Sequence, residues 1–141
     1  MANSTKLVFI VEDNKYQQKM LEVHFKEVLG NYQVKSFGNP IEMMSHLIEE
    51  EPYAIVLDHF FEGQTKTGLD YIAGIRKSHK NLPIIYHTTL DDDAVRRQVM
   101  AAGAEAYIVK DSASLVRLRT ALDAIQEHHG KKGFFGRLFG G

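Results

Sequence analysis

The stretch Ala54-Ile55-Val56-Leu57-Asp58 runs from four apolar residues directly into a carboxylate. A continuous apolar run of this length is typical of a strand that is buried on both faces, as in a parallel sheet. An acidic residue at the end of such a strand emerges at the carboxyl edge of the sheet, where open α/β sheets bind their ligands. Asp58 is therefore the first candidate for a reactive side chain.

Four other stretches carry strand patterns, and helical patterns lie between them. Apolar or alternating runs predict strands at 6–11, 32–37, 83–88 and 106–109. Capping residues and apolar spacing predict helices at 15–29, from 40 to the acidic run at 49–51, and at 68–79, 91–102 and 112–129. Because strands that alternate with helices form a parallel sheet with right-handed crossovers, the sequence predicts the α/β class.

Apolar spacing also predicts which helix faces are buried. The first helix carries Met20, Leu21, Phe25, Val28 and Leu29. The second helix is expected to turn Ile41, Met44, Leu47 and Ile48 inward. The last helix is expected to bury Leu115, Leu118, Leu122 and Ile125.

Composition limits the function classes. The chain has 141 residues, which suits one domain with a buried core. With 17 basic and 18 acidic residues, it offers no support for direct nucleic-acid binding. The lack of cysteine excludes disulfides and thiolate metal sites. We expect a cytoplasmic location, because no apolar run is long enough to span a bilayer and the amino terminus lacks the apolar core of a signal peptide.

Polar side chains stand at four predicted strand ends: Glu12 and Asp13, Asp58, Thr88, and Lys110. The carboxyl ends of parallel strands share one edge, so these side chains can converge. Two like charges about 4 Å apart repel by roughly 4 kcal/mol at an effective dielectric constant of about 20, and one lysine cannot neutralise three acids. Either a proton is retained or a cation binds, and carboxylate oxygens without histidine or cysteine favour Mg²⁺.

This chemistry suits the transfer of a phosphoryl group to Asp58. Aspartate is an established covalent phosphate acceptor. A metal ion and the Lys110 ammonium would neutralise charge on the transferring oxygens, and Thr88 would donate a hydrogen bond to one of them.

Four segments in this order resemble the receiver domain of bacterial response regulators in two-component signalling, of the single-domain type. They are VEDN at 11–14, IVLD at 55–58, PIIYHT at 83–88 and AAGAEAYIVK at 101–110. The resemblance covers residues 5–129. It implies a doubly wound, flavodoxin-like (βα)5 fold with a five-stranded parallel sheet in the order 2-1-3-4-5.

The resemblance also implies a role for each site residue. Asp58 would accept a phosphoryl group from a histidine kinase or phosphotransfer protein. Mg²⁺ would be held by Glu12, Asp13, Asp58 and the backbone carbonyl of Phe60. Lys110 would pair with the phosphoryl group, and Thr88 and Tyr107 would form a coupled switch. The switch would remodel the face of the fourth helix, fifth strand and fifth helix for a downstream target protein.

The chain departs from the family pattern in three places. Asp111 replaces the usual proline after the lysine, so we expect a trans peptide there, with Asp111 or Ser112 capping the last helix. The polar loop between Asp58 and Gly68 is about two residues longer than usual. Phe60 and Leu90 flank the site where many relatives carry polar groups, and we hypothesise that they slow the attack of water on the phosphorylated form.

The two histidines near the site, His59 and His87, are interpreted as structural. Strand alternation turns His87 away from Thr88.

Other interpretations remain open. The chain would divide into a receiver domain at 1–129 and a flexible basic and aromatic tail at 130–141. The tail is either a disordered end or a short docking peptide for a partner protein or, weakly, an anionic membrane. The leading function is a signalling switch that catalyses only its own phosphotransfer and slow autodephosphorylation. The alternatives are a pseudo-receiver that is never phosphorylated and a Mg²⁺-dependent phosphohydrolase with an aspartyl-phosphate intermediate.

Overall fold

The structure, a computed structural model, describes residues 5–125. Its centre is a five-stranded sheet in which every neighbouring pair of strands is parallel, in the order β2-β1-β3-β4-β5. The strands are β1 Lys6–Val11, β2 Tyr32–Phe37, β3 Ala54–Leu57, β4 Ile84–Thr88 and β5 Ala106–Val109. The predicted fold class and strand order are confirmed.

Helices connect the strands as predicted. They are α1 Lys15–Val23, which continues through π-helical turns at His24–Leu29, α2 Pro40–Glu49, α3 Gly68–Ser78, α4 Asp93–Ala102 and α5 at residues 114–125. Two helices, α4 and α5, begin two residues later than predicted. Asp92 is the N-cap of α4, so the acidic run at 91–93 is not its first turn. Residues 126–129 of the predicted last helix, and the predicted tail, lie outside the described residues.

The two faces of the sheet are covered by separate apolar cores. One core packs α2, α3 and α4 against one face and includes Phe9, Leu57, Ile72 and Val99. The other packs α1 and α5 against the opposite face and includes Ile10, Leu21, Ile85 and Leu118. Leu122 and Ile125 are also buried there, as predicted for the last helix. Within residues 5–125, no helix combines the length and apolar character required to cross a membrane.

The predicted buried face of α2 was wrong in part. Pro40, Met43 and Leu47 are buried, whereas Ile41 and Ile48 are 60% and 86% exposed. Asn39 caps the helix by accepting from the Glu42 N–H. Met43 is fully buried, and Met44, which was expected to face inward, is partly buried against the same core. Ile41 and Ile48 instead line an open groove of about 540 Å³ together with Ser78 and His79.

The first helix ends in π-helical turns that the sequence did not predict. Gly30, with φ +83°, closes this segment by donating its N–H to the Phe25 carbonyl, five residues back. Phe25 is fully buried, while Met20 and Val28 are exposed, contrary to the expected apolar face. A π-helix has more residues in each turn than an α-helix, so it shifts the buried face after His24.

The Arg76 side chain links the C-terminal ends of α3 and α4 by hydrogen bonds. One of its Nη atoms donates to the carbonyls of His79 (3.0 Å) and Leu82 (2.7 Å), and the other donates to that of Gly103 (2.6 Å). Gly103 has φ +117°, and a Cβ there would collide with the Arg76 side chain. The arginine therefore satisfies carbonyls at the end of α3 and at the end of α4 together.

We expect Arg76→Met to lower the free energy of unfolding by about 2 kcal/mol, because it leaves three partly buried carbonyls without their donor. Urea denaturation measures the change. The control is Arg97→Met on the exposed side of α4, which should change stability by less than about 0.5 kcal/mol. Equal losses in the two variants would contradict this role of Arg76.

Candidate functional site

The carboxyl edge of the sheet gathers a lysine and two acids. Asp58 directly follows β3, Glu12 follows β1 and Lys110 follows β5. The Lys110 Nζ donates to the Asp58 Oδ2 at 2.8 Å and also to the Glu12 carboxylate. All three side chains are nearly buried, with exposed fractions of 12% for Lys110, 11% for Asp58 and 4% for Glu12. The structure therefore brings together three of the residues predicted at the strand ends.

The electrostatics of this cluster are unbalanced. Burial raises the pKa of Glu12 to about 7, and the neighbouring Asp58 charge adds to the rise, while the hydrogen bond from Lys110 opposes it. The Asn14 N–H also donates to a Glu12 carboxylate oxygen at 3.1 Å. One ammonium shared by two buried carboxylates leaves an excess of negative charge, which disfavours the charged form of Glu12 in addition to the effect of its burial.

Asp13 is positioned differently from the other acids. Its Oδ2 accepts a hydrogen bond from the Glu62 N–H at 2.7 Å, which ties the loop after β3 to the end of β1. Across residues 5–125, no three acidic or histidine side chains lie close enough together to hold a metal ion. The three-carboxylate group expected from the sequence is thus only partly assembled in this structure.

The donor chemistry of the cluster nevertheless fits Mg²⁺. This ion takes oxygen ligands, accepts one or two carboxylates and keeps several waters. Glu12 and Asp58 supply two carboxylates at one place, where both accept from the same Lys110 ammonium, and a cation would neutralise the remaining negative charge. The metal set of Glu12, Asp13, Asp58 and the Phe60 carbonyl remains a prediction.

The two expected switch residues share one partner, Leu90. Thr88 is fully buried, and its Oγ1 accepts from the Leu90 N–H at 3.3 Å. Tyr107 is half-buried, and its hydroxyl donates to the Leu90 carbonyl at 2.5 Å. Lys110 is fixed to the same strand end, because its N–H donates to the Thr88 carbonyl at 2.7 Å.

Asp111 organises the turn where the family usually has proline. Its carboxylate accepts from the Ala113 N–H and from the Arg117 guanidinium, both at 2.8 Å. The same guanidinium donates to the Val109 carbonyl at 2.9 Å. The Arg117 hydrogen bond is the main reason that the pKa of Asp111 is lowered. No cis peptide occurs in residues 5–125, so the expected trans bond is confirmed. The Asp111 side chain bonds to the Ala113 N–H in the turn before α5, which begins at residue 114, so a capping role for Asp111 or Ser112 stays a prediction.

The loop after Asp58 is less polar than predicted, because His59 and Phe61 are both buried. Gly68 closes it by donating its N–H to the His59 carbonyl at 2.9 Å. A Cβ at Gly68 would collide with the Asp58 carbonyl and approach the Tyr86 hydroxyl. Only glycine therefore lets the start of α3 pack this closely against the end of β3.

Sequence reasoning missed the pairing of His59 with Tyr86. The His59 Nδ1 and the Tyr86 hydroxyl are hydrogen bonded at 2.5 Å, and both residues are buried. Strand alternation was the available signal, because it places Tyr86 on the same side of β4 as Thr88. It could not identify a partner that lies 27 residues away in the sequence.

His87 points away from Thr88, as predicted. Ile85 belongs to the core on the α1 and α5 side of the sheet and Tyr86 to the core on the other side, so alternation places His87 on the Ile85 side. The residue is 3% exposed, and its Nε2 has no hydrogen-bond partner among residues 5–125. Burial lowers the pKa of His87 to about 4, and the positive charge of Lys110 contributes.

The fold and the site together define a class of protein. It is a doubly wound α/β domain with a nearly buried lysine and two acids at the carboxyl edge of its sheet. A family model described as the response regulator receiver domain matches residues 8–123. The chain belongs to this family, which confirms the resemblance stated from the sequence.

Individual relatives agree with this family. The chain is 27% identical over 105 residues to the cyclic di-GMP phosphodiesterase response regulator RpfG of Xanthomonas campestris pv. campestris (strain 8004), covering 73% of this chain and 27% of RpfG. It is 28% identical over 109 residues to nodulation protein W of Bradyrhizobium diazoefficiens, covering 77% of this chain and 46% of that protein. The chain thus spans less than half the length of these two relatives.

A solved structure supports the fold. The response regulator TrrA of Thermotoga maritima, in complex with Mg²⁺ and BeF, superposes with a TM-score of 0.74 at 21% identity. The match covers 86% of this chain and 99% of that chain.

We expect the stability of the protein to fall on acidification because His87 must stay neutral to remain buried. Its pKa is about 4 in the folded state against 6.5 for the free group, so the unfolded state binds more protons between these values. Stability is therefore retained above pH 6.5 and lost as the pH falls toward 4.

His87→Leu should reduce the loss of unfolding free energy between pH 7 and about pH 4.5 by about 2 to 3 kcal/mol. Urea denaturation at the two pH values measures this. Exposed His46→Gln is the control and should leave the pH dependence of the wild type unchanged. A His87→Leu protein with the wild-type pH dependence would contradict the assignment.

Proposed function

We propose that the protein is a phosphorylation-dependent signalling switch of a two-component phosphorelay, with Asp58 as the phosphoacceptor. One observation carries the proposal: the buried Lys110 ammonium lies against the Asp58 Oδ2 at 2.8 Å and also against Glu12. A lysine in this position neutralises charge on a phosphoryl group attached to Asp58. The same ammonium keeps Asp58 oriented before the group arrives.

The reaction would be a direct transfer. A carboxylate oxygen of Asp58 attacks the phosphorus of a phosphohistidine on a histidine kinase or phosphotransfer protein. The O–P bond forms, the N–P bond breaks, and the imidazole leaves with the electron pair. Mg²⁺, held by Glu12, Asp13, Asp58 and the Phe60 carbonyl, would neutralise charge on the transferring oxygens. The domain would catalyse only this transfer and the slow hydrolysis of its own aspartyl phosphate.

The output would pass through the switch pair. A phosphoryl group at Asp58 offers new acceptors to Thr88, whose hydroxyl is now held by the Leu90 N–H. A shift of Thr88 would free that amide and change the packing of Tyr107 behind it. The face formed by α4, β5 and α5 would then change shape and bind a downstream target protein. We place this switch in the cytoplasm, on a receiver domain at 1–129 that is followed by the tail at 130–141.

A receiver that is never phosphorylated is the second candidate, and one observation favours it. Asp13 is held by the Glu62 N–H, so a metal ion that uses Asp13 must displace the loop from it. The phosphorylation test below separates the two functions, because a pseudo-receiver gains no phosphoryl group from any donor.

We expect the purified protein to gain the mass of one phosphoryl group on incubation with acetyl phosphate and Mg²⁺, and Asp58→Asn to gain none. Intact mass spectrometry measures the gain. Asp91→Asn, at a 72% exposed carboxylate near the same edge, is the control and should be phosphorylated like the wild type. Chelation of Mg²⁺ should abolish the gain, because one lysine cannot neutralise the transferring oxygens and two acids.

The phosphorylated form should be long-lived. Phe60 is 55% exposed and Leu90 is partly buried at the predicted rim of the site, and neither side chain can orient an attacking water. We expect Phe60→Asn and Leu90→Gln each to shorten the half-life of the phosphorylated protein on the order of tenfold. The decay of the phosphorylated mass with time is the measurement. A wild-type half-life of seconds would contradict the hypothesis.

A further inference from the structure

Three aromatic rings lie next to one another near the candidate site, in or just after three neighbouring strands. His59 is the second residue after the end of β3, Tyr86 lies in β4 and Tyr107 in β5, where Tyr86 pairs in register with Tyr107. The ring centroids of His59 and Tyr86 are 5.7 Å apart. Those of Tyr86 and Tyr107 are 5.5 Å apart with the planes 19° from parallel, so the two tyrosines are stacked. We call these three residues the ring row.

Each end of the ring row is tied to an element of the proposed switch. The His59 N–H donates to the Asp58 Oδ1 at 2.6 Å, so its backbone is bonded to the phosphoacceptor itself. At the other end, the Tyr107 hydroxyl donates to the Leu90 carbonyl at 2.5 Å, at the start of the connection to α4. The row therefore runs from Asp58 to that connection without passing through Thr88.

Tyr86 is the fixed middle of the row. It is fully buried, and its hydroxyl is hydrogen bonded to the Nδ1 of His59 at 2.5 Å. Its ring is stacked on that of Tyr107. A buried phenol that is bonded to one neighbouring ring and stacked on the other has little freedom to move independently of them.

We propose that the ring row is a second path coupling Asp58 to the connection between β4 and α4, with Tyr86 as its positioning residue. The inference rests on the proposed function and deepens it. Phosphorylation alters the carboxylate that accepts the His59 N–H, which moves His59. Because the rings are packed side by side, Tyr86 transmits this movement to Tyr107. The Tyr107 hydroxyl then acts on Leu90 in parallel with Thr88.

The competing explanation is that the ring row only fills the core. A purely structural Tyr86 hydroxyl would change the free energy of unfolding when removed, but it would not change how Leu90 and Tyr107 respond to an occupied Asp58. The experiment therefore measures the response itself.

The backbone amides of Leu90 and Tyr107 report the response by NMR in the full chain, as Mg²⁺ and beryllofluoride, a phosphoryl mimic, are added. In Tyr86→Phe we expect the ratio of switched to unswitched protein at saturation to be roughly three- to tenfold lower than in the wild type, the effect of losing one hydrogen bond of a buried network. The control is Tyr53→Phe, because the Tyr53 hydroxyl is a buried group without a hydrogen-bond partner in the part of the chain that the structure describes. The response of this variant should equal that of the wild type.

Two further variants test the path. His59→Asn keeps an acceptor near the position of Nδ1 and should retain more of the response than His59→Leu. The single variant Thr88→Val should weaken the response. The double variant, Thr88→Val with Tyr86→Phe, should weaken it further, because two parallel paths are then broken.

The possible outcomes are distinct. A wild-type response that persists unchanged in Tyr86→Phe would overturn the ring-row inference and leave the proposed function intact. A wild-type protein that binds beryllofluoride but whose Leu90 and Tyr107 amides do not move would overturn it as well. A wild type that neither binds beryllofluoride nor gains a phosphoryl group would overturn the proposed function, and the inference with it.

Discussion

The rest of the site depends on one buried ammonium, that of Lys110, between the carboxylates of Asp58 and Glu12. Removing two acids from water carries a large desolvation cost, which a single cation offsets only in part. The remaining imbalance raises the pKa of Glu12 to about 7. The cluster therefore stays intact in the folded protein only because the parallel sheet holds the ends of β1, β3 and β5 at one edge.

The loop after β3 is fastened to this edge at several points. The Glu62 N–H donates to Asp13, and the Gly68 N–H donates to the His59 carbonyl, while the His59 ring is hydrogen bonded to the Tyr86 hydroxyl. These amides belong to the loop and to the first turn of α3, which has no partners for them within the helix. The extra length of the loop thus does not leave it detached from the site. Asp13, however, serves the loop in this structure, so its part in metal binding requires an exchange of partners.

Much of the fold and part of the site could be predicted from the sequence. Uninterrupted apolar runs identified the buried strands, and residues at strand ends are fixed by topology, which is why Asp58, Glu12 and Lys110 were found in advance. The prediction for α2 was wrong for Ile41 and Ile48, because apolar residues lie on two faces of this helix and spacing alone does not choose between them. The π-helical turns have no sequence signal of their own. His59 and Tyr86 were missed because their pairing is set by how closely α3 approaches β3 at Gly68.

In the proposed switch, the side chains that respond to Asp58 converge on one residue, Leu90. Leu90 donates its N–H to Thr88 and accepts from Tyr107, so both paths act on the backbone of the same residue. Two residues further on, Asp92 caps α4, and Arg96 from its first turns lies 4.9 Å over the Tyr107 ring. A displacement of Leu90 must therefore be absorbed at the start of α4, since β4 is buried on both sides and cannot move. In the proposed switch, this is a physical reason for the output to lie on the face formed by α4, β5 and α5.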